Sequence, residues 1–410
     1  MKGDSGKRHL SPWGRGRTFA NAGEGAGEGV PCFVASVLTP LTPTLSPWGR
    51  GGIHTSLAAA ILVCLSAVGA HAETDHAALA HDALTKVIRP GYDDLAANTA
   101  ILKKTADALC AQPSQAALKD TKDAFAATVE SWSKVGIYRF GPVNKNHRHE
   151  RLFFWPDPKG IGLRQVRTVL AKKDESVLLA DTLAEKSVAL QGLPALEYLL
   201  YGEGADTLAT GAEEIGFRCG FAASIADNVD RIADAVAEGW REGAEDSKLF
   251  LSPGPADPLY RAPKDVTLEL FKAFTSGIEL VRDQKLGRPL GESAERARPR
   301  LAAFWRSDLT FPNMAGNLEG VRTLFAEGGF AGIVAAESPG VEDSILFDLN
   351  RVINILKAVD EPIAEAVRDP AQRNKLEALR IALKSARDTA AALISQGAGL
   401  SFGFNALDGD

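Results

Sequence analysis

Ser187-Val-Ala-Leu-Gln-Gly-Leu-Pro-Ala-Leu-Glu-Tyr-Leu-Leu-Tyr-Gly202 carries one formal charge, the carboxylate of Glu197, with apolar residues on every side of it. Read as a helix, the stretch is apolar nearly all round, which predicts a helix enclosed by others rather than one facing water. A carboxylate in such a helix is paired, protonated or bound to a cation, because burying it bare costs too much. Pro194, three residues earlier, either starts the helix or kinks it. Glu197 is therefore the first candidate site residue.

The flanking sequence reads the same way. Alanine, leucine, lysine and glutamate dominate, β-branched runs are scarce, and apolar residues recur at spacings of three and four. Upstream, residues 76–109 (broken near Pro90-Gly91), 115–135, 163–171 and a run from Ser176 into the opening stretch are expected to be helical. Residues 136–162 read as a long loop, marked by Gly141-Pro142, Pro156, Pro158 and Gly160. Downstream, 213–239 is helical, after which Pro253, Pro255, Pro258 and Pro263 mark a boundary. Residues 265–285, 292–307, 314–326, 342–358 and 372–396 then read as five further helical segments. Phe125 to Trp132 before a Gly-Pro loop is echoed by Leu301 to Trp305 before Phe311-Pro312-Asn313. The expected fold is all-α, with two helical-bundle lobes related by internal duplication, 73–246 and 265–410, joined by a Pro-rich linker, 247–264.

The amino terminus is of another kind. Ser11-Pro-Trp-Gly-Arg-Gly16 recurs as Ser46-Pro-Trp-Gly-Arg-Gly51, and residues 1–52 are too rich in Gly, Pro, Ser and Thr to bury a core. They read as a disordered or spurious extension. Residues 53–72 carry an apolar run ending in Ala70-His71-Ala72, the pattern of a signal peptide cleaved after Ala72. A periplasmic or cell-envelope location is expected. The whole chain of 410 residues has 46 Lys and Arg against 52 Asp and Glu; beyond Ala72 there are 40 against 49, a net charge of −9. Nucleic acid is not an expected partner. Of four cysteines, Cys110 and Cys219 remain after cleavage. An oxidising compartment favours their pairing, and two lone buried thiols are the alternative.

Beyond Ala72 the histidines are His76, His81, His147 and His149. There is no His-Glu-x-x-His, no Gly-x-Ser-x-Gly and no Cys-x-x-Cys-His, so the standard hydrolase and haem-attachment motifs are missing. What remains is Asn144-Lys-Asn-His-Arg-His-Glu-Arg-Leu-Phe-Phe-Trp-Pro-Asp157. His147 and Glu150, three apart, face one way on a helical turn, as chelating pairs do, with His149 beside them. Trp155 and its neighbours indicate a packed end to this loop, with Asp157 at its edge. The same residues also read as a solvated charged loop. Glu197, likewise, reads either as a binding group or as an ion-pair partner of Arg139, Arg151, Arg164 or Arg167.

Gly192-Leu-Pro-Ala-Leu-Glu197 followed by Tyr-Leu-Leu-Tyr-Gly resembles the Gly-x-His-x-x-Glu motif region of the imelysin family. Arg139-Phe-Gly-Pro142, Phe154-Trp-Pro-Asp157 and Gly162-Leu-Arg-Gln-Val166 resemble the loop of its periplasmic branch. The resemblance implies two helical-bundle lobes, an envelope location and a link to iron uptake. Its motif histidine falls on Pro194, which offers no side-chain donor. Three readings stay open: the metal function is lost, His147, His149 and Glu150 supply ligands from the loop, or the site takes something other than a metal.

The expectation is an exported imelysin-like protein that binds a ligand where its lobes meet, as a component of envelope iron uptake working with other envelope proteins. Iron or another divalent metal leads. Glu197, His147, His149, Glu150 and Asp157 are the candidate ligands, and Gly192, Pro194, Trp155, Arg139 and Arg164 shape the site. The alternatives are a metallopeptidase of the imelysin type, which these motifs do not support, and a structural or protein-interaction module with no small ligand.

Overall fold

In the computed structural model, which describes residues 73–210 and 216–400, α1 (His76–Asp82) runs through a π-helical segment, Ala83–Ile88, into α2 (Arg89–Ala111). The expected break at Pro90-Gly91 is absent. A proline inside a helix lacks an N–H and crowds the carbonyl four residues back, and the wider π turn before Arg89-Pro90 accommodates both. After α2, Ser114 caps α3 (Gln115–Val135) by accepting a hydrogen bond from the Ala117 N–H at 3.1 Å. The expected loop at 136–162 contains a 3-10 segment, Gly141–His147, and α4 (Arg148–Leu152). Then come α5 (Ile161–Lys172), α6 (Ala180–Ala184), α7 (Leu193–Tyr201) and α8 (Gly216–Trp240). Helix α2 packs against both α3 and α8 in the first bundle. A disulfide between Cys110 and Cys219 ties the end of α2 to the start of α8.

After α9 (Glu245–Leu251), residues 252–262 are the non-helical part of the Pro-rich stretch. The second half repeats the opening device: α10 (Pro263–Glu279) passes through a π segment, Leu280–Gly287, into α11 (Arg288–Leu290). Lys86-Val-Ile-Arg-Pro90 and Lys285-Leu-Gly-Arg-Pro289 stand at matching places in the two. Next are α12 (Thr310–Glu327), α13 (Phe330–Glu337), α14 (Val341–Lys357), α15 (Ile363–Ala366) and α16 (Pro370–Gly397). Helix α12 packs on α10, on α14 and, across the two halves, on α3. That crossing is close because of glycine: a Cβ on Gly320 would lie 2.0 Å from the Lys134 carbonyl oxygen. Among the described residues every regular element is helical, so the fold is all-α.

The helix expected over 292–307 does not form. Its place is taken by a single 3-10 turn, Pro299–Leu301, and a tight loop in which Phe304 (φ 56°) and Asp308 (φ 57°) are left-handed. Gly291 (φ 63°) ends the preceding helix, and the contacts of this loop, rather than its periodicity, decide its path. The extension 1–52 and the signal segment 53–72 lie outside the described residues. No helix of the described residues is long and apolar enough to cross a membrane.

Candidate functional site

Helix α7 starts at Gly192, and Pro194 sits in its first turn, so the proline begins the helix rather than kinking it. Gly192 is required by close approach: a Cβ there would meet the carbonyl oxygens of Leu152 at 2.4 Å and Arg151 at 2.5 Å. The start of the helix is further fixed by Arg151, which donates to Gln191 Oε1 at 2.8 Å and to Asn228 Oδ1 on α8 at 3.1 Å. At its other end Arg218 donates to the carbonyls of Tyr198, Leu199 and Glu203, satisfying acceptors the helix leaves open. Helix α7 is thus enclosed, as its composition predicts.

Glu197 is 3 % exposed. Its Oε1 accepts three hydrogen bonds from the 299–307 loop: Arg306 N–H at 2.9 Å, Ser307 N–H at 3.0 Å and Ser307 Oγ–H at 2.9 Å. Its Oε2 lies 4.0 Å from Arg306 Nη1. Burial pushes the carboxyl above its ordinary range, against the pull of the Ser307 hydroxyl and the Arg306 charge. The partner of this carboxylate is therefore the loop that failed to become a helix. Glu197 holds that loop's backbone in place.

Between α7, the segment from Phe153 to Arg167 and the 300–306 loop lies a cleft of about 610 Å³. Pro194, Glu197 and Tyr198 line it from α7, and Trp305 and Arg306 from the loop. Trp155 clasps the two sides by donating from Nε1 to the Leu301 carbonyl at 3.1 Å. Arg306 lies over the Trp305 ring at 4.2 Å and beside Tyr198 at 5.5 Å. Arg300 flanks the same indole at 5.6 Å, and Arg167 flanks Tyr198 at 5.7 Å. None of these arginine–aromatic contacts is marked by the local sequence, where Arg300, Trp305 and Arg306 read as part of an amphipathic helix.

Of the candidate ligands, Glu197 and Asp157 share this cleft, whereas His147, His149 and Glu150 do not line it. Asp157 caps α5, accepting from Ile161 N–H and Gly162 N–H at 2.8 Å each. His147 is exposed and left-handed at the start of α4. His149 is buried against Trp132, with Nε2 at 3.3 Å from the Gly136 carbonyl, Nδ1 unpartnered, and a pKa pushed down to about 3 by burial and the nearby Arg139 charge. Arg139 also faces the charge of Glu150. Arg164 is exposed and donates to the Lys159 carbonyl within its own turn.

The family model for imelysin (peptidase family M75) matches residues 88–390. The chain belongs to the imelysin family. An imelysin-like protein from Psychrobacter arcticum 273-4 matches its structure with a TM-score of 0.66 at 17 % identity, over 80 % of this chain and 97 % of that one. A protein assigned as an iron-regulated protein A precursor from Parabacteroides distasonis ATCC 8503 matches with a TM-score of 0.65 at 13 % identity, over 78 % of this chain and 95 % of that one. A search of curated proteins returns no match.

Pro194, where the resemblance places the motif histidine, and Glu197 both line the cleft. Pro194 brings no donor, and Glu197 Oε1 and both oxygens of Asp157 are engaged by N–H and O–H groups of the chain. Among the described residues no three His, Cys, Asp or Glu side chains converge as a metal would require. These residues do not fit a resident metal.

Behind the aromatic wall of the cleft the sequence conceals a further charge. Lys285, in the second π segment, is 2 % exposed and lies 5.3 Å from the Phe153 ring and 5.7 Å from Trp155. It donates to Asn313 Oδ1 at 2.5 Å and Asn317 Oδ1 at 2.6 Å, and these amides donate in turn to Ser133 on α3. Burial and the Arg139 charge push the amine down to about 7.

Proposed function

We propose that this chain is an exported binding component of the cell envelope that holds a small ligand in the cleft between α7 and the 300–306 loop, and that it is not a peptidase. The observation that carries this reading is the cleft itself. It is walled by segments from both halves of the chain and open on one side, and the most buried acid in its wall, Glu197, fixes one of those segments. Clefts lined largely by apolar and aromatic side chains with a few fixed polar groups are the usual form of small-molecule sites.

A peptidase would need a water activated by a metal or a base within reach of it. Glu197 is held by three donors on one oxygen and faces a guanidinium with the other, which suits a framing role better than proton transfer. The link to iron is what the imelysin resemblance implies, and the description of the Parabacteroides relative as an iron-regulated protein agrees with it. With too few free donors to hold a bare ion, this cleft would take iron only within a complex that brings its own ligands.

The test is a thermal-shift and calorimetric screen of the purified full chain with ferrous, ferric and zinc ions and with small metabolites, run beside Leu163→Trp. Leu163 lines the cleft, and an indole there would obstruct part of it. Saturable binding that the Leu163→Trp variant weakens or loses supports the reading. Chelator-sensitive cleavage of unfolded protein that Glu197→Gln abolishes overturns it.

A further inference from the structure

Three guanidinium groups line the cleft, one of them, Arg300, with no acid against it among the described residues and another, Arg306, with its one acid 4.0 Å away. Burial acts most strongly against the protonated form of Arg306, Glu197 and Tyr198 oppose it, and the flanking like charges of Arg167 and Arg300 add to the burial. Its side chain makes no hydrogen bond among the described residues, and its nearest anion is Glu197 Oε2 at 4.0 Å. Arg300 forms no ion pair or hydrogen bond among the described residues and rests only against Trp305. Arg167 is held by Tyr198 Oη at 3.0 Å and by the exposed Glu203 at 3.3 Å. The remaining acid of the wall, Asp157, is turned onto the N–H groups of α5.

Such an arrangement repels itself when empty of anions. A guanidinium lying on an aromatic face keeps its edge N–H groups free in its own plane, and that edge matches a carboxylate bidentately. Arg306 on Trp305 has this geometry. More than one such group calls for more than one carboxylate. The indole and phenol faces between them suit a carbon skeleton, and about 610 Å³ exceeds what a lone inorganic ion fills.

We propose that the ligand of this cleft is a small organic polyanion, a di- or tricarboxylate or its metal complex, gripped by Arg300 and Arg306 against Trp305 with Arg167 at the rim. This rests on the reading of the cleft as the ligand site. Glu197 is then a positioning residue: by fixing the Arg306 and Ser307 backbone it aims the Arg306 side chain without touching the ligand.

The experiment is a calorimetric and tryptophan-fluorescence titration of the full chain with citrate, ferric citrate, inorganic phosphate and uncharged glycerol, at low and high salt. Wild type is compared with Arg300→Gln, Arg306→Gln and Leu163→Trp, each checked for an unchanged helical spectrum and melting temperature. Citrate or ferric citrate is expected to bind saturably, at least tenfold more weakly at high salt and at least tenfold more weakly in each arginine variant. Phosphate binding as tightly as citrate overturns the organic polyanion in favour of a simple oxyanion site. Carboxylate binding that neither arginine variant weakens overturns the assignment of Arg300 and Arg306. Binding of a metal ion or uncharged ligand that Leu163→Trp abolishes, with no carboxylate binding, sinks the polyanion and leaves the cleft standing as the ligand site. No binding by any ligand in either screen sinks both.

Discussion

Ser307 gives both its N–H and its hydroxyl to one oxygen of Glu197, at 3.0 and 2.9 Å, across 110 residues of sequence. That pair turns a buried carboxyl, costly by itself, into one of the fastenings between the two halves of the chain. Glu197→Ala removes the acceptor for two backbone N–H groups and a hydroxyl and should cost about 3 kcal/mol in urea unfolding. Glu197→Gln keeps one acceptor and should cost less than half of that. Equal losses in the two variants would show that the fastening depends on charge rather than on accepted hydrogen bonds.

Lys285 predicts a pH dependence with a definite sign. Its amine is pushed down to about 7 in the fold, whereas in the unfolded chain it titrates near its ordinary 10.5. Between those values the unfolded chain binds a proton that the folded chain lacks, so stability rises with pH across that window. Below about 7 both forms are protonated and the contribution is constant. Urea midpoints from pH 7 to 9.5 should climb in the wild type, by at most about 1.4 kcal/mol per pH unit from this group. Lys285→Met should flatten the climb, and an unchanged slope in that variant would rule the lysine out as its source.

Gly192→Ala should destabilise the chain by more than about 2 kcal/mol, because the added methyl meets two backbone carbonyls that cannot swing aside as a side chain would. The same change at Gly160, where a Cβ meets nothing within 4 Å and only the left-handed φ of 59° resists it, should cost less. Chemical denaturation of the two variants side by side checks the order.

The Cys110–Cys219 disulfide closes a loop across 109 positions. On the chain-entropy account, reduction should lower stability by about 5 kcal/mol. Denaturation with and without dithiothreitol measures it, and Cys110→Ser with Cys219→Ser should reproduce the reduced value without reductant.

Much of the fold was legible because long helices carry their burial pattern in the chain. Residues 115–135 and the region of α8 have apolar stripes that tertiary contacts only reinforce. Glu197 was legible for a related reason: one charge among apolar residues stands out wherever it is. The loop from Pro299 to Asp308 was not. Its residues suit a helix locally, and what bends them is Glu197, more than a hundred positions away, together with two left-handed residues that local preference disfavours. Arg300 and Arg306 were illegible in turn, since arginines on a supposed amphipathic helix read as solvated. Lys285 escaped notice because nothing local marks a lysine as buried; its amide partners lie 28 and 32 positions on.

The clasp between Trp155 and Leu301 spans 146 positions. The cleft therefore has both of its walls only once segments 146 positions apart have met, when the 300–306 loop docks on α7. A ligand bridging that seam stabilises only chains that have finished folding, by an amount set by its concentration relative to its dissociation constant. Resistance to protease gained on adding ligand would therefore count completed molecules in a preparation, and halves folded without each other would go uncounted.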